Sequence, residues 1–574
     1  MKERNNPAFI KVSPAKKAEK GPTGPSDLVK HLVFLPGSEV INRILDLEHA
    51  EKAVRGLPHS DLYWLIKKIG EGDALPLLKL ASTQQWQFLL DLEAWDRDRL
   101  DMEQATIWLG RLFQADPERV LNWLLTQGEL FTYCYFSNKI EVHVREKDEF
   151  FEDTTFLTFD DIYYFRVCDA EEGDLIQELL RRLAEKDLLG YQAIMLGLAG
   201  TLRDELEEEI YRLRNVRIAE DGFLPYEEAV SLYAYLGSDA LKPEKGLLSH
   251  PGPASDPHPS PLAPILHLGE NSLVLKALER DSDPALLDRI RVEFAGLCNQ
   301  VISADRIRVS DAEDLVRVCR KAADYINAGL ERLAGASPER CRKYLMETPL
   351  QHLFRVGFSL ALQVRWEAER WLKEAWFVRS DLRPAFWGEW GGFLVGLLQK
   401  RPLLYRGASS HPAYSHFEGS ADLQRCREIL RQMKALDSLL EKISSTHPVE
   451  KEWAKEPFFT FHALIFNFWA RQKLNIQPGF APLSLEEVTR FFRLLRSGAD
   501  SPPFGMKEFK EIFVEDLAAY GRDLGPESME ALRPALSIIW DKFTEEYAWV
   551  ATADLDGRYL KFILTSPSPG DAPG

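Results

Sequence analysis

The sequence predicts a mostly α-helical protein, built as two α-solenoid-like or helical-bundle halves with a small β-hairpin insertion. Three observations lead there. Apolar residues recur at helical spacing in short runs, each with its own start and stop residues. A proline-rich stretch, 242–264, with seven prolines, interrupts that rhythm near the middle of the 574 residues. The composition, 45% hydrophobic and 28% charged, is that of an ordinary globular chain long enough to bury large cores without disulfides.

The elements follow in order. Residues 1–27, rich in Lys, Pro, Gly and Ser, read as a disordered tail. A helical-stack domain over 28–241 comes next. Ser60 is placed to cap a helix carrying Leu62, Leu65, Ile66 and Ile69 and stopped by Gly70, and Asp73 precedes the next. Ser82 with Gln85 forms a capping box ahead of Trp86, Leu89 and Leu90. Asp101 opens a helix through Trp108 and Leu112, and Asp116-Pro117 opens another that Gly128 closes. Helices this short cannot bury their faces alone, so they must stack on neighbours. The start-to-start spacing is too irregular for a true repeat. Alternating aromatic and β-branched residues predict a hairpin near 131–144, with its turn at Ser137-Asn138. Helical periodicity resumes at about Phe159 and runs to Gly237. The Pro-rich segment 242–264 reads as a linker. A second helical domain, 265–565, has caps at Ser310 with Glu313, Ser337 and Ser484 with Glu487, and its longest helical pattern is 338–400. Residues 566–574 form a short tail.

Charge and cysteine usage narrow the function classes. With 71 Lys and Arg against 89 Asp and Glu, the net charge is −18, a poor match to nucleic acid, which demands a basic field. The charged N-terminal stretch predicts no secretory signal. The longest apolar window, 356–364, is too short to span a membrane. Six scattered cysteines with no C-x-x-C pair read as reduced core residues, which points to the cytoplasm.

Most catalytic motifs fail on a named residue. Gly70-Glu-Gly72 lacks the third glycine of a dinucleotide fingerprint, since position 75 is Leu75. Gly357-Phe-Ser359-Leu-Ala361 approximates a nucleophile elbow but lies inside a helical run, not at a strand-to-helix turn. Asp554-Leu-Asp556-Gly557 lacks the acidic ligands of a calcium loop and reads as a turn. Acidic residues Asp204 to Glu209 sit beside Arg203, Arg212, Arg214 and Arg217, which marks a self-paired helix face. One metal-like cluster survives: His411, His416 and Glu418, with Asp422 beyond, could supply three ligands and an open position. The competing reading is a glycine-rich loop that happens to hold two histidines. No cofactor and no metal is assigned.

The densest chemistry is the tryptophan–arginine region. Trp366, Trp371, Trp376, Trp387 and Trp390 lie among Arg355, Arg365, Arg370, Arg379, Arg383, Arg401 and Arg406. Trp with Arg builds interface hot spots and stacking sites for aromatic or anionic ligands. Core filling is the expected role of most of the tryptophans. If a surface here binds something, the side chains to carry it are Arg355, Arg365, Trp366, Arg401 and Tyr405.

Several runs are similar to known sequences. Leu57-Pro-His-Ser-Asp-Leu62, DALPLLKLAS from Asp73, QQWQFLLDLEAW from Gln84, Asp221 to Ala229, His352 to Gly357 and Arg401 to Tyr405 resemble an uncharacterised bacterial family of long cytosolic helical proteins. That resemblance covers most of the chain and carries no site residue with it. Residues 55–130 are also similar, in helix rhythm, to the intracellular N domain of MgtE-type magnesium transporters and to the flagellar motor-switch arm, which implies a right-handed stack of short helices. Without membrane spans, transport is excluded and only sensing is left open. The expected function is a cytosolic scaffold that engages a protein partner, with no evident catalytic site. The alternatives are a metal-dependent hydrolase or a small-molecule sensor using 352–422. The partner and the oligomeric state stay open.

Overall fold

A computed structural model describes residues 25–145, 153–169, 173–200, 203–241, 262–268, 272–278, 283–335, 337–383, 389–456, 458–496, 502–506 and 508–566. Most of the Pro-rich segment, residues 1–24, Trp387 and residues 567–574 fall outside that set, so the linker and tail expectations lie outside the described residues. The fold is mostly α, with small antiparallel sheets of two or three strands. No helix among the described residues is long and apolar enough to cross a membrane. The chain divides into two compact units. The described residues of Met1–Leu232, Pro243–Ala323 and Arg342–Gln351 form one; those of Tyr233–Lys242, Asp324–Cys341 and His352–Gly574 form the other. Residues 262–323 thus group with the N-terminal part, although the sequence reading assigned 265 onward to the second domain.

In the first unit, short helices pack on the next but one in sequence. Gly37–Leu45 lies on His59–Ile69, which lies on Thr83–Glu93, while Ala50–Arg55 lies on Leu75–Leu80, which lies on Met102–Ala115. The caps explain the boundaries. Ser82 Oγ accepts from the Gln85 amide at 3.2 Å and Gln85 Oε1 accepts from the Ser82 amide at 2.8 Å, the expected capping box. The same glutamine donates through Nε2 to the Val54 and Leu57 carbonyls, each at 3.0 Å. Asp101 and Asp116 cap their helices as expected.

Two expectations fail here. Helix His59–Ile69 begins directly after Pro58, whose fixed φ and missing N–H suit that position, so Ser60 is a buried interior residue and not a cap. The region 131–144 is not a hairpin. Glu129–Lys139 is a helix, and strand Ile140–Val144 pairs antiparallel with Tyr163–Val167, which also pairs with Leu157–Thr158. Phe131, Cys134 and Tyr135 fall at i, i+3 and i+4 and are all buried. An aromatic run that alternates can therefore also bury one helical face. The strand at 163–167 likewise replaces the helix expected from about 159.

Buried charges here are paired. The Lys67 side chain has no exposed surface and meets Glu71 at 2.5 Å and Glu93 at 2.8 Å, while Arg111 reaches Glu71 at 2.7 Å. Asp61 accepts from the amides of Leu262 and Ala263 at 3.0 and 2.9 Å, tying the chain that follows the Pro-rich segment to helix His59–Ile69.

The second unit depends on close helix approach. Where Ala312–Ala334 crosses Leu350–Glu374, a Cβ on Gly329 would lie 2.2 Å from the Leu353 carbonyl oxygen, and one on Gly357 would lie 1.9 Å from that of Tyr325. Further along, Ser420–Ser444 packs on Pro526–Tyr547. An aromatic core joins Phe466, Trp469, Phe513, Trp540 and Phe543, with ring centroids 4.2 Å apart for Phe466 and Phe543. Buried Asn467 accepts from the Leu564 amide at 2.9 Å and donates to the Leu564 carbonyl at 3.0 Å. The Ser484–Glu487 capping box forms as expected. The Ser310–Glu313 box does not: Asp314 accepts from the Ser310 amide and hydroxyl, and Asp311 caps the Asp314 amide. The helical pattern 338–400 breaks at Pro349 and again at Ala375.

The glycine at 357 gives a sign test. Alanine is the better helix former by about 1 kcal/mol, yet Gly357→Ala should lower stability by about 1–3 kcal/mol through overpacking. Gly296→Ala, where an added Cβ meets nothing within 4 Å, should be neutral or stabilising. Calorimetric melting of the two variants checks the pair.

Candidate functional site

The five side chains singled out by sequence all lie in the second unit. Arg355, Arg365 and Trp366 stand on helix Leu350–Glu374, while Arg401 and Tyr405 lie in the segment after helix Glu389–Leu397. Four of them meet the chain itself around residues 233–236 and 400. Arg355 Nε donates to the Ala234 carbonyl at 3.2 Å. The Trp366 and Tyr235 rings lie 5.0 Å apart. The Arg401 guanidinium sits 4.2 Å from the centre of the Tyr233 ring. Arg365 pairs with Glu369 at 2.8 Å and donates to the Lys400 carbonyl at 3.0 Å.

The near-miss nucleophile motif belongs to the same arrangement. Ser359 Oγ donates to the Arg355 carbonyl at 2.7 Å and accepts from the Leu236 amide at 2.8 Å. Tyr233 stands edge-on to Phe354 and Phe358. The hydroxyl is therefore a docking point for backbone, in a helix, with no base beside it among the described residues. Tyr405 does not join this group. Its ring lies against Gly392 and 5.4 Å from Tyr414, and Tyr414 in turn lies against Gly396. The two glycines, one turn apart, leave room for both rings.

The tryptophans divide between core and surface. Trp376 is buried, while Trp366 is 38% exposed. Asp437 holds the turn beneath them, accepting from the amides of Trp376 at 3.0 Å and Phe377 at 3.2 Å. Those amides open helix Trp376–Arg379, whose own N-cap, Ala375, has no side-chain acceptor. Burial pushes the Asp437 carboxyl up to about 6, against the opposing hydrogen bonds from Trp376, Phe377 and Trp371.

The histidine cluster does not assemble. His416 Nε2 lies 2.7 Å from Asp324, and Glu418 pairs with Arg406 at 2.6 Å, while His411 is exposed on the turn. Arg406 also reaches Asp422 at 3.3 Å. Among the described residues no group of three or more His, Cys, Asp or Glu side chains could hold a metal ion.

One cleft in the first unit had no signal in the sequence. It measures about 420 Å³ and lies among Val33, helix His59–Ile69, the 265–267 turn and the start of helix Ala312–Ala334. Trp64 and Lys68 come from one helix, His267 from the turn, and Arg317 and Arg320 from the other helix. The turn lies about 200 residues beyond the first helix and about 50 before the arginines, so local spacing could not reveal them.

A family profile matches residues 18–566, which includes residues of both units. The chain belongs to DUF6178, a family of unknown function. Neither the curated proteins nor the solved structures contain a match. The DUF6178 assignment agrees with the resemblance carried by the runs from Leu57, Asp73 and Gln84. The MgtE-like helix rhythm of 55–130 gains no further support.

Asp437 generates a pH test. Its folded-state carboxyl, near 6, lies above the value of about 4 in an unfolded chain. Its contribution to stability is therefore complete below about pH 4 and lost as pH rises through about 6. The melting-temperature advantage of the native protein over Asp437→Asn should accordingly shrink between about pH 4.5 and 7. Parallel melting curves across that range would show that the carboxyl is not buried as described.

Proposed function

We propose that this DUF6178 protein is a cytoplasmic, non-enzymatic helical scaffold whose first unit docks a protein partner. The observation that carries the reading is an exposed apolar face on helix Leu188–Ala199. Leu189 is 78% exposed and Leu196 61% exposed, and Ala193 lies between them on the same face. Exposed Leu157, Phe159 and Ile162 come from the neighbouring sheet and turn, which Gln192 joins to Asp160 at 3.0 Å. Exposed apolar side chains on adjoining elements mark interaction surfaces more often than isolated ones do. Solenoid-like stacking of the preceding short helices suits such a role, because it offers extended surface.

The rival readings draw less support. A metal-dependent hydrolase would need His411, His416 and Glu418 on one ion, and two of them are paired elsewhere. A sensor built on Arg355, Arg365, Trp366 and Arg401 would have to displace chain that those residues already hold. The net charge of −18 argues against nucleic acid as the partner.

The double change Leu189→Glu with Leu196→Glu tests the surface. Both positions are exposed, so the melting temperature should hold, since substitutions of this kind cost within about 0.5 kcal/mol. A stoichiometric partner recovered by native pull-down with the unmodified protein should be lost or weakened about tenfold or more. Recovery of no partner, with turnover in a metabolite screen, would sink the scaffold reading.

A further inference from the structure

We infer that the first-unit cleft beside Trp64 is a binding site for a compact, multiply charged oxyanion, with a small phosphate ester as the class that fits best. The inference does not rest on the scaffold reading. Its first support is charge placement. In a chain of net charge −18, the cleft presents Lys68, Arg317 and Arg320 against one carboxylate, Glu313. Glu313 is not spent on the helix cap, a role taken by Asp311 and Asp314.

The cations differ in how they are held. Lys68 is half-buried and donates from Nζ to the Val33 carbonyl, with no carboxylate partner among the described residues. Burial holds its ammonium below the usual lysine range. Arg320 is exposed and has no ion-pair partner among the described residues. Arg317 leans on Asp314, which neutralises part of its charge. Cations left in this state gain most from an oxyanion, because each charge-assisted hydrogen bond replaces water and not another protein group. Arginine in particular matches the paired oxygens of phosphate or carboxylate.

The floor and the fourth wall add shape. Trp64 and Val33 are buried and line the cleft together with Val316, so part of its wall is apolar. The His267 imidazole stacks on the Trp64 indole with centroids 4.9 Å apart and planes 16° apart. Burial first, and then the positive charges of Lys68 and Arg320, push His267 down to about 4. Lys68, Arg320 and His267 all line this one cleft, and the imidazole is neutral near pH 7, able to donate or accept a hydrogen bond. Ala312 and Glu313, the first residues of a 23-residue helix, also line the cleft. A volume of about 420 Å³ lies within the range of small-ligand pockets.

The test uses the full chain and two probes, pyrophosphate and citrate, titrated separately by calorimetry at low ionic strength. Saturable one-to-one binding of pyrophosphate in preference to citrate is the expected result. Arg320→Glu, at an exposed position, should weaken it about tenfold or more while leaving the melting temperature unchanged. Lys68→Met should do the same, and Arg320→Lys should retain most of the binding. Preference for citrate would keep the oxyanion site and reassign its class to carboxylates. Failure of both probes to bind, or binding that is indifferent to Arg320→Glu, would overturn the inference.

Discussion

The second unit depends on one close approach. Helices Ala312–Ala334 and Leu350–Glu374 meet where Gly329 and Gly357 leave no room for a Cβ. That contact fixes the height of everything else on helix Leu350–Glu374. Two residues after Gly357, Ser359 receives the Leu236 amide, and Arg355, one turn earlier, reaches the Ala234 carbonyl. Trp366 and Arg401 complete the hold through Tyr235 and Tyr233. The most chemically suggestive stretch of the sequence is therefore occupied by the chain itself. Its arginines and aromatic rings provide the kind of contact a peptide ligand would receive, and the peptide is residues 233–236.

Much of this fold was legible where the determinants are local. Ser82 with Gln85, Ser484 with Glu487, and Asp116 before Pro117 act over three residues, so the sequence shows both partners together. The failures have a common cause. Phe131 to Phe136 satisfies strand alternation and helical spacing equally well, and tertiary packing chose the helix. Ser60 has the chemistry of a cap, but Pro58 starts the helix earlier. The tryptophan–arginine region stands out as a concentration in the sequence; that residues 233–236 sit on Arg355, Trp366 and Arg401 could not be read from residue spacing. The cleft beside Trp64 was invisible for the same reason, since Lys68, His267 and Arg320 come from three distant segments.

Both units use the same device to secure irregular backbone. A buried side chain from a remote helix supplies the hydrogen bonds that a short segment lacks: Asp61 for Leu262 and Ala263, Asp437 for Trp376 and Phe377, and Asn467 for Leu564. Each acceptor is buried, where an unmet amide costs about 1–3 kcal/mol. Such contacts explain how loops between short helices stay fixed. They also separate structural from functional polarity: these side chains hold backbone, whereas Lys68 and Arg320 at the first-unit cleft have no carboxylate partner among the described residues.

The central claim, that residues 233–236 occupy the surface built by Arg355, Ser359, Trp366 and Arg401, is tested most directly by hydrogen exchange on the peptide that contains Leu236. The account predicts slow exchange of the Leu236 amide in the unmodified protein and faster exchange, by about tenfold or more, in Ser359→Ala, from the loss of one hydrogen bond of about 1–2 kcal/mol. Exchange of that amide at the rate of an unprotected peptide in the unmodified protein would contradict it, and would return the tryptophan–arginine surface to the list of open binding sites.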